Sequence, residues 1–119
     1  MTRTRKEILK QLRTERERLR AENRQLFDEI LHILFRHDPI GICYPSRRNS
    51  AEVYKSEVGT ILPRLKEAHS VEDVRKILHE EFVFWFSPHL AGPEEKYQLI
   101  AVDVWAAYQR ASRKEDLDG

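Results

Sequence analysis

A chain of 119 residues can form one globular domain with a hydrophobic core but is too short for two. Hydrophobic residues make up 40% of it and charged residues 34%, and the net charge of +1 excludes a protein that binds polyanions through overall charge alone. The single cysteine, Cys43, excludes an internal disulfide, and no segment has the apolar length of a signal peptide or membrane span. We therefore expect a cytoplasmic protein.

The first predicted helix runs from about Thr4 to Asp38, where Pro39 ends it. Its apolar residues follow a heptad repeat, which favours a coiled coil. The a positions are Leu9, Arg16, Asn23 and Ile30, and the d positions are Leu12, Leu19, Leu26 and Ile33. The segment RLRAENRQL resembles a dimeric leucine zipper, in which an Asn at position a sets the register.

The heptad pattern predicts a homodimer, because a narrow apolar stripe with charged flanks is typical of a two-stranded seam. In a parallel pair, Glu15 at position g would meet Arg20 at position e of the partner. A monomer whose polar N-terminal half frays or lies over the domain is the alternative. The predicted dimer interface comprises Leu9, Leu12, Arg16, Leu19, Asn23 and Leu26.

From Phe27 onward the apolar stripe of this helix widens beyond the needs of a two-stranded seam, so we expect this half to be buried in a core. We therefore divide the chain into a coiled-coil stalk continuous with the domain (1–26), a helical bundle (27–112) and a polar tail that frays (113–119). The predicted fold class is all-α, with four main helices.

Three shorter helices follow a loop that contains Asp38, Pro39 and Gly41. The second covers about 51–68, with a kink or restart near Ser56 because Gly59 and Pro63 interrupt it. The third starts at a capping box, residues 70–73, and ends at Phe86. The fourth starts at Pro93 and ends near Ser112. Asp38 is expected to cap the loop backbone or to pair with Arg47 or Arg48.

The third and fourth helices each carry a second apolar stripe away from their core faces. Two such stripes suggest one shared surface for a protein partner, unless the first helix or its dimer mate covers both. The candidate partner-binding residues are Ile77, Val83, Phe84, Leu99 and Val102.

No cluster of residues indicates an enzyme or a cofactor. Glu29 and His32 have the Glu-x-x-His spacing of di-iron bundles, but the sequence has no second copy, so we predict no metal site. Cys43 with His37 lacks an orienting third group. Residues 1–24 carry nine Lys or Arg against four acids, yet glutamates interrupt this arm, so we do not expect nucleic-acid binding.

Four segments resemble a family of small bacterial all-helical proteins of unknown function. They are HDPIG (37–41), EVGTILPRL (57–65), AHSVED (68–73) and HEEF (79–82). The resemblance implies a helical fold and a bacterial source, suggests an immunity or accessory role in a toxin or defence system, and implies no catalytic residue. From the sequence we predict a non-enzymatic protein–protein interaction module; the alternatives are such an immunity protein and a small dimeric DNA-binding regulator that uses the basic arm.

Overall fold

The computed structural model describes residues 4–42 and 51–118, and these residues form helices and no strands. The all-α prediction is confirmed. The α-helices are α1 (Arg5–Glu22), α2 (Arg24–His37), α3 (Lys55–Ile61), α4 (Val71–Trp85), α5 (Pro88–Ala91) and α6 (Gln98–Asp118). Three 3-10 segments accompany them, at Ala51–Tyr54, Leu62–Glu67 and Glu94–Tyr97.

The first predicted helix is not continuous, because it breaks into α1 and α2 at Asn23. Asn23 has φ −128° and ψ 42°, outside the helical region. Its side-chain Nδ2 donates to the carbonyl oxygen of Leu19 at 3.0 Å. Asparagine competes for backbone partners in this way, which is why it interrupts helices more readily than the leucines around it. The boundary predicted between residues 26 and 27 falls inside α2.

The core lies where α2, α3, α4 and α6 meet. Helix α2 packs against α6 and the 3-10 segment before α3, α6 packs against α4, and α4 packs against α3. The widened stripe predicted for α2 is buried as expected. The largest fully buried side chains are Tyr54, Tyr97, Phe27, Phe82, Ile30, Leu31, Leu34, Ile61, Leu65, Leu78, Val58 and Val74. Helix α1 contacts α3 and has no buried residue.

The ends of α4 follow the sequence signals. The Ser70 hydroxyl accepts from the backbone N–H of Asp73, and the Asp73 carboxylate accepts from the N–H of His69, so the predicted cap is confirmed. After α4, Ser87 has φ 142° and its hydroxyl accepts from the N–H of Leu90, which begins the single turn of α5. The sequence predicted only a loop for this turn.

The second and fourth predicted helices differ from the structure in detail. The second is a 3-10 segment, then α3 from Lys55, then a second 3-10 segment that contains Pro63, so the restart near Ser56 is confirmed. Pro93 caps the 3-10 turn Glu94–Tyr97, which leads directly into α6. Helix α6 continues to Asp118, past the end expected near Ser112.

Candidate functional site

A groove of about 480 Å³ lies between α1 on one side and α3 and α4 on the other. Its floor is α3, because Ser56, Gly59 and Thr60 face into it. Leu12 and Leu19 line it from α1, and the α4 wall consists of Glu81 and Trp85. The remaining lining residues are Glu15, Arg16, Arg18, Glu22 and Pro63.

Helix α1 approaches α3 most closely at Gly59. A Cβ atom on Gly59 would lie 2.8 Å from Cγ and 3.2 Å from Cβ of Arg16. Only a residue without a side chain allows this contact, so Gly59 is a packing glycine as well as a weak point in the helix. The guanidinium of Arg16 then donates to the Ser56 hydroxyl at 3.1 Å.

A second anchor joins the C-terminal end of α1 to the rest of the domain. The Arg20 guanidinium lies 2.9 Å from carboxylate oxygens of both Asp28 and Glu52 and sits 5.1 Å from the ring centre of Phe27. Hydrogen bonds to Glu52 and Asp28 raise the pKa of Arg20 above its ordinary value. Because Arg20 binds two carboxylates of its own chain, it is not free to form the predicted ion pair with Glu15 of a partner.

The α4 wall is held to the floor by Trp85, whose indole N–H donates to the Thr60 hydroxyl at 2.9 Å. Phe84 meets the Trp85 ring edge to face, with ring centres 5.4 Å apart, and is 67% exposed. The Arg64 guanidinium binds Glu80 and Glu81 beside this wall. The groove therefore has an aromatic edge at the half-buried Trp85, whose orientation is fixed by its hydrogen bond to Thr60.

Glu57 is a buried acid on α3, at 6% exposure, and within the described residues only its Oε2 is a buried side-chain polar atom without a hydrogen-bond partner. Burial raises the pKa of Glu57 to about 7, and the positive charge of Arg16 opposes part of that rise. The raised pKa favours the neutral carboxyl, which avoids the cost of burying an unpaired charge.

The residues predicted to form the dimer interface differ in their exposure and contacts in the structure. Leu9 is 52% exposed, whereas Leu26 belongs to the core of its own chain. Leu12 and Leu19 are half-buried along the groove. Arg16 contacts α3, and Asn23 caps Leu19 within its own chain. A parallel seam from Leu9 to Leu26 would thus require α1 to leave α3.

The candidate partner-binding residues do not form one surface. Ile77 is buried, and Val83 packs partly against the core. Phe84 lies two turns beyond Ile77 on the flank of α4 that faces Arg64. The opposite flank of α4 faces α6, as the contact of Arg75 with Gln98 shows.

Leu99 and Val102 lie on the outer side of α6, at 71% and 44% exposure. Helix α6 packs on the flank of α4 opposite to Phe84, so these two residues face a different direction from the groove. Helix α1 packs on α3 and leaves Phe84, Leu99 and Val102 exposed.

The loop motif after α2 is structural. Asp38 adopts a left-handed conformation, with φ 45°, and its Oδ1 accepts from the N–H of Ile42 at 3.0 Å and from the Tyr54 hydroxyl at 2.7 Å. The predicted capping by Asp38 is confirmed. Pro39 is buried, and Gly41 has φ 75° and donates to the Asp38 carbonyl. The alternative partners Arg47 and Arg48, and Cys43, lie outside the described residues.

Two of the histidines contact polar groups on other segments of the chain. Nε2 of His37 lies 2.9 Å from the Asp103 carboxylate, and Nε2 of His79 lies 3.0 Å from the Gly92 carbonyl oxygen. Glu29 forms an ion pair with Arg110 rather than a site with His32. No group of three or more potential metal ligands is present among the residues that the structure describes.

No protein-family model, curated protein or solved structure matches the chain. The resemblance to a bacterial helical family therefore stays a prediction. Within the described ranges, no helix is both long and apolar enough to cross a lipid bilayer.

Proposed function

We propose that the chain is a non-enzymatic protein–protein interaction module that docks a protein against α1 and the groove beside it. The observation that carries the proposal is that α1, a helix of 18 residues with an apolar stripe, has no buried residue. A stripe that remains half-exposed along a groove with a tryptophan wall is typical of a docking surface. Ile8 and Leu9 extend this stripe towards the N-terminus of α1, where both are exposed.

The chemistry of the groove suits a helical or extended protein segment better than a small molecule. Leu12, Leu19 and Trp85 offer apolar contact, and Glu15, Glu22 and Arg18 at its edge offer both signs of charge. Interfaces commonly combine an aromatic anchor with a polar rim of this kind. Charged side chains also form a large part of the lining, whereas small-molecule sites are lined predominantly by hydrophobic and aromatic side chains.

The test is a pull-down with a tagged chain from an extract of the source cells, in the wild type and in two variants that each gain one negative charge. A second copy with a different tag is included, so that binding between copies is also detected. Leu12→Glu places a charge in the groove, and Leu99→Glu places the same charge on the outer side of α6. We expect Leu12→Glu to lose the proteins that the wild type retains and Leu99→Glu to keep them. Equal retention by both variants, or no retained protein with the wild type, would contradict the proposal.

A second candidate function, binding to DNA, rests on the exposed cations of α1. Arg5, Lys6, Lys10 and Arg13 are exposed, and none forms an ion pair with an acid in the described part of the chain. Lys6, Lys10 and Arg13 share one flank of α1, away from the groove. If this flank binds phosphates, affinity for duplex DNA should fall with salt and should fall further in Lys6→Glu/Lys10→Glu. Unchanged affinity in that variant would remove this candidate.

A further inference from the structure

Helices α1 and α2 meet at a single non-helical residue. On one side of it, the N–H of Asn23 donates to the Leu19 carbonyl at 3.0 Å, and on the other the N–H of Phe27 donates to the Asn23 carbonyl at 2.8 Å. Helical hydrogen bonding therefore continues on both sides of the break. A change of φ and ψ at Asn23 alone would join Arg5–His37 into one straight helix, so Asn23 has the properties of a hinge.

Helix α1 is held to the domain by few contacts. Beyond its half-buried leucines, the described anchors are Arg16 on Gly59 and Ser56, and Arg20 on Asp28, Glu52 and the Phe27 ring. An element with no buried residue lies at the low-stability end of a fold, where local opening is easiest. Release of α1 would leave the core of α2, α3, α4 and α6 in place.

The surface of α3 that α1 would leave has contacts complementary to α1. The absence of a side chain at Gly59 makes room for the stem of Arg16, and the Ser56 hydroxyl accepts from its guanidinium. Leu12 and Leu19 of α1 face the groove between the helices. A second copy of the chain carries the same complementary helix. The same contacts can therefore form within one chain or between two, and a short hinge between exchanged elements favours the second arrangement at high concentration.

We propose that two copies of the chain exchange their α1 helices, each α1 docking on the α3 face of the other copy as the hinge at Asn23 straightens. This inference goes beyond the proposed function, because it names a second copy as the chain on which α1 packs and the groove beside α1 is present in either arrangement. In this arrangement Arg16 and Asn23 have roles that they would not have in a coiled-coil dimer. Arg16 is the residue that fits Gly59, and Asn23 is the hinge.

Disulfide trapping tests the exchange, because the ideal Cβ at Gly59 lies 3.2 Å from Cβ of Arg16, close to the separation of about 3.5–4.5 Å in a disulfide. The variant is Arg16→Cys/Gly59→Cys on a Cys43→Ser background, oxidised after equilibration at several concentrations. We expect a covalent dimer linked 16–59 whose fraction rises with concentration. A covalent monomer at every concentration, or dimers linked only 16–16, would overturn the inference.

If that variant does not fold, the exchange is tested by measuring dimerisation of chains without added cysteines by sedimentation. Alanine favours the straight helix at position 23 and glycine disfavours it, so Asn23→Ala should raise the dimerisation constant several-fold over wild type and Asn23→Gly should not. A monomeric wild type at all concentrations would overturn the exchange. If the chain is monomeric and Leu12→Glu alone still loses other retained proteins, the exchange fails while the proposed function stands.

Discussion

The stem of Arg16 lies on Gly59, so a Cβ atom at position 59 would come within 2.8 Å of Arg16 Cγ. This contact sets how closely α1 approaches α3. It also explains a glycine inside α3, where the helical propensity of alanine is better by about 1 kcal/mol.

Gly59→Ala should therefore have opposite effects on the free energy of unfolding in the wild type and in Arg16→Ala. In the wild type, the clash with Arg16 should outweigh the gain in helix propensity and lower the free energy of unfolding by about 1 kcal/mol. In an Arg16→Ala background the clash is gone, and the same change should raise it by up to about 1 kcal/mol. Urea unfolding of the four chains measures this cycle. The same sign in both backgrounds would show that Arg16 does not set the packing at Gly59.

Glu57 should make stability fall as pH rises. Burial raises its pKa in the folded chain to about 7 from an ordinary 4.5, so the folded state binds this proton more tightly than the unfolded state. The contribution is complete below pH 4.5 and is lost as pH rises through 7. Above that range, Glu57→Gln should be more stable than the wild type, by about 3 kcal/mol.

Urea midpoints of the wild type and Glu57→Gln at pH 5 and pH 8 test this prediction. The difference between the two chains should widen from the lower to the higher pH. A constant difference would mean that Glu57 titrates alike in the folded and unfolded chain. Glu17→Gln removes the same charge at an exposed position of α1 and is the matched control.

Asp38 fixes the turn after α2 through hydrogen bonds to the N–H of Ile42 and to the Tyr54 hydroxyl. Asp38→Ala should lower the free energy of unfolding by about 2 kcal/mol, since a carboxylate that accepts two bonds is lost. Asp38→Asn keeps an acceptor and tolerates the left-handed conformation, so it should cost less. If Asn and Ala cost the same, these hydrogen bonds do not stabilise the turn.

Phe84 and Ile77 lie on one flank of α4 but differ in burial, at 67% and 6% exposure. Phe84→Glu should change the free energy of unfolding by less than about 0.5 kcal/mol, because the side chain is already in water. Ile77→Glu should cost several kcal/mol, because it buries an unpaired charge. Thermal melts of the two variants make the comparison, and equal losses would show that Phe84 is covered by part of the fold.

The sequence was sufficient for features that depend on local patterns. The heptads and the wide stripe from Phe27 identified the helices, Pro39 identified an end, and Ser70 identified a cap. The break at Asn23 was missed because a single asparagine within a heptad fits a zipper equally well. Only the position of α3 decides between the two interpretations.

The parts of the site that the sequence did not reveal depend on contacts between distant segments. Gly59 gave a signal, since a glycine within a helical pattern often marks close packing, but nothing local identified Arg16 as its neighbour. Glu57 gave none, because its burial follows from the arrangement of other helices. Leu99 and Phe84 were expected to share a surface, and the side of α4 on which α6 packs separates them.

The docking surface is tested most directly by amide hydrogen exchange of the chain, free and bound to another protein that it retains. If α1 and the groove are the docking surface, binding should slow exchange in Arg5–Glu22 and Lys55–Ile61 and leave Gln98–Asp118 unchanged. Protection confined to Gln98–Asp118, with unchanged exchange in Arg5–Glu22, would contradict the account.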